Sequence, residues 1–197
     1  MDWRGVFAKC LESTALIEPR GSDLVLPGDE STKLTVTGWS QACVAIRIRG
    51  GKRGGVDHVR GLRKDRGLER RADYILFVSL RESNYAVILE MKRSLRSRDP
   101  RAYEQVRATR PIVAYLESLA WNVGCRCARV VLRHIVVGSE SGDRIPKQAP
   151  RARPSSVGSR WRAADIEGTR FIAEELPLTW LVADPRQWEG SLEEDHP

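Results

Sequence analysis

The chain has 197 residues, with 33 Lys+Arg against 26 Asp+Glu, a formal net charge of +7 and 41% hydrophobic residues. That length and apolar fraction suit one domain with a real core and exclude a wholly disordered chain. No apolar run approaches the roughly 20 residues that span a bilayer, and Met1-Asp2-Trp3-Arg4 does not open a secretory signal, so no membrane partner and a cytoplasmic location are expected.

In chain order, the first expected element is a helix. Asp2 can cap it, and Trp3, Val6, Phe7, Cys10 and Leu11 share one apolar stripe before Pro19-Arg20-Gly21 ends it. Gly21 to Ser31 reads as turns. Lys33–Gly38 and Ala42–Arg49 read as strands. In the second, Val44, Ile46 and Ile48 alternate with Ala45, Arg47 and Arg49, which predicts one buried and one basic face. The stretch from Gly50 to Arg71 has few apolar residues and reads as a loop. Ala72–Ser79 and Tyr85–Lys92 are strands joined by a hairpin turn at Arg81-Glu82-Ser83-Asn84. The second is almost entirely apolar up to Glu90, as suits a mid-sheet strand covered on both faces. Asp99-Pro100 starts a helix that runs to about Trp121, with Pro111 expected to kink or interrupt it. Ala128–Val137 is a strand, Ser139 to Ser159 a loop rich in Gly, Ser, Pro and Arg, and Phe171 to Val182 a strand with an extension across the sheet. This order predicts an α/β fold, a central mixed β-sheet flanked by helices. The expected division is a core over residues 1–140, a basic loop over 141–162, and a C-terminal extension over 163–197 packing on the core.

Charge is unevenly distributed. Ten Lys/Arg fall between Arg47 and Arg71, against Asp57, Asp65 and Glu69, and six more lie between Ser141 and Arg162. Two basic stretches beside an ordinary core suggest a polyanion partner; a solvated Arg-rich surface is the competing reading. Cys10, Cys43, Cys125 and Cys127 lack metal-ligand spacing and read as reduced core residues. His58 and His134 read as partly buried residues rather than bases. Trp161, between Arg160 and Arg162, reads as an anchor for a long loop before it reads as a base-stacking platform.

The residues that carry chemistry are Asp73, Glu90, Lys92 and Gln105. If the strands around Asp73 and Glu90 form a hairpin, the start of the first lies beside the end of the second. Glu90 and Lys92 point to one face, so all three charges converge at one sheet edge. Charges at the end of a buried strand must be paired or must bind something. Two neighbouring carboxylates suit a hard divalent cation such as Mg2+, and a lysine beside its water suits phosphodiester hydrolysis. A surface salt-bridge trio is the alternative. Gln105 shares its helical face with Ala102, Thr109 and Ile112, so it faces something packed.

Ala72-Asp73, Glu90-Met91-Lys92 and Gln105, on a helix–strands–helix–strand order from Asp2 to Gly138, resemble the PD-(D/E)xK nuclease superfamily. The resemblance implies a restriction-endonuclease-like core of αβββαβ order. It also implies Mg2+ (or Mn2+) held by Asp73, Glu90 and the main-chain carbonyl of Met91, with Lys92 positioning or activating the attacking water and Gln105 supporting the site. Ala72 stands where the motif's name has proline, a position at which members vary. The N-terminal helix of such proteins often supplies another acid; Glu12 and Glu18 are the candidates, and Glu12 reads better as a solvated surface residue. The implied activity is metal-dependent endonucleolytic cleavage of DNA, in restriction, repair or anti-phage defence, with specificity from a homodimer or a larger protein complex. The basic residues expected on DNA phosphates are Arg60, Arg63, Lys64, Arg70, Arg71 and Arg93. The alternative is a non-catalytic nuclease-like fold that binds nucleic acid or protein.

Overall fold

In the computed structural model, the described residues are 1–28, 33–48, 71–80, 82–92, 100–126, 129–139, 161–165, 170–173 and 176–184. Among them, α1 is Trp3–Phe7, β1 Leu16–Ile17, β2 Leu24–Pro27, β3 Lys33–Thr37 and β4 Val44–Arg47. The hairpin strands are β5, Tyr74–Leu80, and β6, Ser83–Lys92, followed by α2, Pro100–Asn122. Then come β7 (Val131–Ser139), β8 (Trp161–Asp165), β9 (Arg170–Ala173), β10 (Leu176–Pro177) and α3 (Leu178–Val182).

The strands form a seven-stranded sheet in the order β1-β4-β5-β6-β7-β8-β9 and a three-stranded sheet in the order β10-β3-β2. In the large sheet only β6 and β7 pair in parallel, and α2 is the crossover that a parallel pair requires. The molecule is therefore α/β, with mixed sheets and helices against them. No helix among the described residues is long and apolar enough to cross a membrane.

Strand alternation divides β5 and β6 between two cores. Ile75, Phe77, Ala86 and Ile88 pack with Trp3 and Phe7 of α1 and Ala102, Val106, Val113 and Leu116 of α2. Tyr74, Leu76, Val87, Leu89 and Met91 pack on the other face with Leu24, Leu26, Leu34, Val36, Leu176 and Leu181, from the small sheet and α3. Both faces being covered explains the unbroken apolar run of β6.

Several expectations are corrected. The first helix is one turn and a half; the apolar stripe carries on through Cys10 and Leu11, but a 3-10 turn at Ser13–Ala15 and β1 replace the rest of the helix. The turn-rich stretch after Gly21 contains β2. β4 does not have one buried and one basic face, because the small sheet covers the second: Ala45 is fully buried there and Arg47 half-buried. Pro111 lies inside α2 without interrupting it. Trp161 opens strand β8, which runs to Asp165. α2 ends on a Schellman turn, with Cys125 N–H donating to Ala120 O at 3.0 Å and Gly124 at φ 89°.

Candidate active site

The β5–β6 register pairs Tyr74 with Leu89. Asp73 and Glu90 are the residues next beyond that last pair, Asp73 just before β5 and Glu90 near the end of β6. Lys92 follows on the same face as Glu90. The side chain of Met91 goes to the other core, so Met91 turns only its backbone to this site.

Hydrogen bonds tie these residues together. Met91 N–H donates to Asp73 Oδ2 at 2.8 Å, so the carboxylate prolongs the strand ladder just beyond the last paired residue. Asp73 O accepts from Ile48 N–H at 2.9 Å, which fixes the residue from the β4 side as well. Glu90 is only 1% exposed, and its Oε1 stands 2.6 Å from Lys92 Nζ. Lys92 Nζ also donates to Gln105 Oε1 at 2.7 Å. Gln105 Nε2 donates in turn to the carbonyl of Arg71 at 3.1 Å.

α2 presents its inner face through Ala102, Gln105, Val106, Thr109, Val113, Leu116 and Ala120, all buried. Five are apolar and form the stripe of a helix lying on a sheet. The two polar ones, Gln105 and Thr109, lie beside the segment that leads into Asp73. Ala72 N–H donates to Thr109 Oγ1 at 2.7 Å, and that hydroxyl donates to Gln105 O at 2.7 Å. Sequence reasoning assigned Thr109 no role. Its signal was a hydroxyl in an apolar stripe, one turn from the glutamine already singled out.

Of the sequence-derived site residues, Asp73, Glu90, Met91, Lys92 and Gln105 come together. Arg71, expected on DNA phosphates, is 7% exposed, and its backbone carbonyl accepts from Gln105. Arg60, Arg63, Lys64, Arg70 and Arg93 lie outside the described residues, as does Asp99, the expected helix cap. Glu18 is paired with Arg4 instead of facing the site. Glu12 is exposed and accepts a hydrogen bond from Thr14 Oγ1 at 3.4 Å.

Among the described residues no group of three or more His, Cys, Asp and Glu is gathered to hold a metal ion. A cage of protein ligands is not what magnesium demands; it keeps most of its waters and takes one or two carboxylates. Two carboxylates at one sheet end, Asp73 on the Met91 amide and the buried Glu90 where charge is costly, fit that requirement. Elsewhere on the helix side of the sheet, burial followed by the nearby Arg110, Arg107 and Arg133 lowers the pKa of His134 to about 4, so its imidazole is neutral at pH 7. Burial pushes the Cys43 thiol up, which suits a packed thiol rather than a nucleophile. Compared with known protein families, curated proteins and solved structures, the chain matches none.

Proposed function

We propose that this chain is a magnesium-dependent endonuclease of DNA, built on a PD-(D/E)xK-like site in a restriction-endonuclease-like core. The observation that carries the reading is the buried Glu90, ion-paired to Lys92 at the sheet end where Asp73 lies. An ion pair of this kind gives little net stability, since desolvation offsets its attraction. Its placement at the end of an apolar strand therefore suits chemistry better than structure. Apart from β1 and the small-sheet strands β2 and β3, the order α1, β4, β5, β6, α2, β7, with β6 and β7 parallel, is compatible with the αβββαβ arrangement expected of such a core.

In this reading Asp73, Glu90 and the Met91 carbonyl are the groups that hold Mg2+ or Mn2+. The ion would neutralise charge on the scissile phosphate and make an attacking hydroxide accessible at neutral pH. Lys92 Nζ, fixed between Glu90 and Gln105, orients the attacking water and holds a proton beside it. Gln105 keeps Lys92 from swinging to solvent. The chain between Ile48 and Arg71, whose two ends flank Asp73, carries the lysines and arginines for phosphate contact. Partners of this activity are DNA and, for specificity, a second copy or a larger complex, in a cytoplasmic setting such as restriction, repair or anti-phage defence.

The non-catalytic alternative draws on the Glu90–Lys92 pair, which already satisfies both charges without a cation. The test is cleavage of supercoiled and linear DNA with Mg2+, Mn2+ or Ca2+, for wild type and Glu90→Gln. The nuclease reading expects cuts with Mg2+ and Mn2+ that vanish in the variant. DNA binding with no cutting under any of these ions favours the binding module.

A further inference from the structure

We infer that Thr109 is a positioning residue: through the backbone of Ala72 it sets the place of the Asp73 carboxylate. The inference rests on the nuclease reading for its consequence in metal binding, though not for its structural content.

A helical threonine that donates to the carbonyl four residues earlier is common and carries no message by itself. Thr109 does this with Gln105 O at 2.7 Å. That bond consumes the single hydroxyl proton and leaves the oxygen lone pairs free to accept. They accept Ala72 N–H at 2.7 Å, across 37 residues of sequence. Ala72 and Thr109 are both fully buried, so water cannot replace either partner.

Three consecutive residues are thereby immobilised. The Arg71 carbonyl is held by Gln105, the Ala72 amide by Thr109, and the Asp73 carbonyl by the amide of Ile48. None of Arg71, Ala72 and Asp73 lies within a strand; the Ile48 bond continues the β4–β5 pairing to Asp73, while Arg71 and Ala72 are held by α2. What remains for Asp73 is side-chain rotation, and its Oδ2 bond to Met91 N–H removes that freedom. Deleting the Thr109 hydroxyl frees the residue ahead of Asp73 and loosens that bond. The same helix face holds Lys92 through Gln105, so one turn of α2 sets both the carboxylate and the lysine.

The test uses the full chain with Thr109→Val, which keeps the shape and removes the hydroxyl, and Thr109→Ser, which keeps the hydroxyl. Amide hydrogen exchange in metal-free protein is read at Ala72 and Met91, with Val44 and Phe77 at the far end of the β4–β5 pair as internal references. Thr109→Val is expected to lower protection at Ala72 and Met91 by about tenfold relative to the references, from the loss of a buried hydrogen bond. Thr109→Ser is expected to follow the wild type. Calorimetric titration with Mn2+ alone should show about tenfold weaker binding for Thr109→Val and near-normal binding for Thr109→Ser, the size usual when a group that orients a ligand is removed. Met91 protection unchanged in Thr109→Val, or Thr109→Ser behaving as Thr109→Val, overturns the inference. So does fast exchange of the Ala72 amide in the wild type, a measurement that needs no variant to fold. If the wild type binds no Mn2+ while the exchange results hold, it is the nuclease reading that fails and not the positioning role.

Discussion

In the proposed site the Asp73 carboxylate has two separable duties, since its Oδ2 accepts a backbone hydrogen bond while its charge would serve the metal. Asp73→Asn keeps an oxygen acceptor and removes the charge. We expect it to abolish metal-dependent cleavage with a thermal midpoint close to wild type, measured by plasmid nicking beside calorimetry. Glu90→Ala differs, because it removes the nearest partner of Lys92 from a buried setting. The ammonium is part-exposed and can recover water, so the expected loss of stability is about 1 to 3 kcal/mol by urea unfolding. Lys92→Ala should lose cleavage and keep DNA binding in Ca2+. His134 gives a prediction with a sign. Its folded pKa is about 4 against an ordinary 6.5, so between those values the unfolded chain binds more protons. Its contribution to stability is complete above pH 6.5 and is lost as pH falls toward 4. Urea unfolding across that window should show a flatter profile for His134→Gln than for wild type.

Among the elements, α2 joins the two functions of holding the sheet and holding the site. Pro111 is exposed in its interior, supplies no N–H to the carbonyl of Arg107, and crowds that carbonyl with its ring. Pro111→Ala should stabilise the protein by about 1 to 3 kcal/mol in urea unfolding, with exchange at Ala72 unchanged because Gln105 and Thr109 lie before the proline. The strands that form the site were legible because β6 is one long apolar run that ends in Glu90-Met91-Lys92, and alternation alone put Glu90 and Lys92 on one face. Gln105 was legible from helical spacing. The length of α1 was not, because the stripe of Cys10 and Leu11 continues through turns that pack on the same core. The burial of Ala45 was not either, because it depends on a second sheet built partly from β10, far away in sequence. The low exposure of Arg71 was not legible for a related reason: charge density in a sequence window carries no information on the burial of one member.

For the whole molecule, DNA association should depend on the basic stretch whose ends flank Asp73. Phosphate contacts release counterions and weaken with salt irrespective of base sequence. Changing Arg60, Arg63 and Lys64 together to Glu should weaken binding to every duplex about equally and flatten its salt dependence, while single-turnover cutting of bound DNA changes far less. A filter-binding salt titration beside single-turnover kinetics checks both; an unchanged salt slope would move the DNA surface to the Arg144–Arg162 stretch. The hairpin that carries the site has a further consequence for the order of assembly. Asp73, Glu90 and Lys92 belong to one contiguous stretch closed by a tight turn. Contacts of short sequence separation form early, and hairpins close on the order of microseconds. We therefore expect the two acids to meet before α2 has docked, while the growing fold is still wet. Lys92 arrives on the same strand as Glu90, so the nascent hairpin carries its own counter-charge and does not wait for a distant partner to make that approach tolerable. Helix docking would then convert a loosely gathered set of charges into a fixed one, so we expect pulsed hydrogen exchange during refolding to protect the strand amides of β5 and β6 before the Ala72 amide that α2 holds.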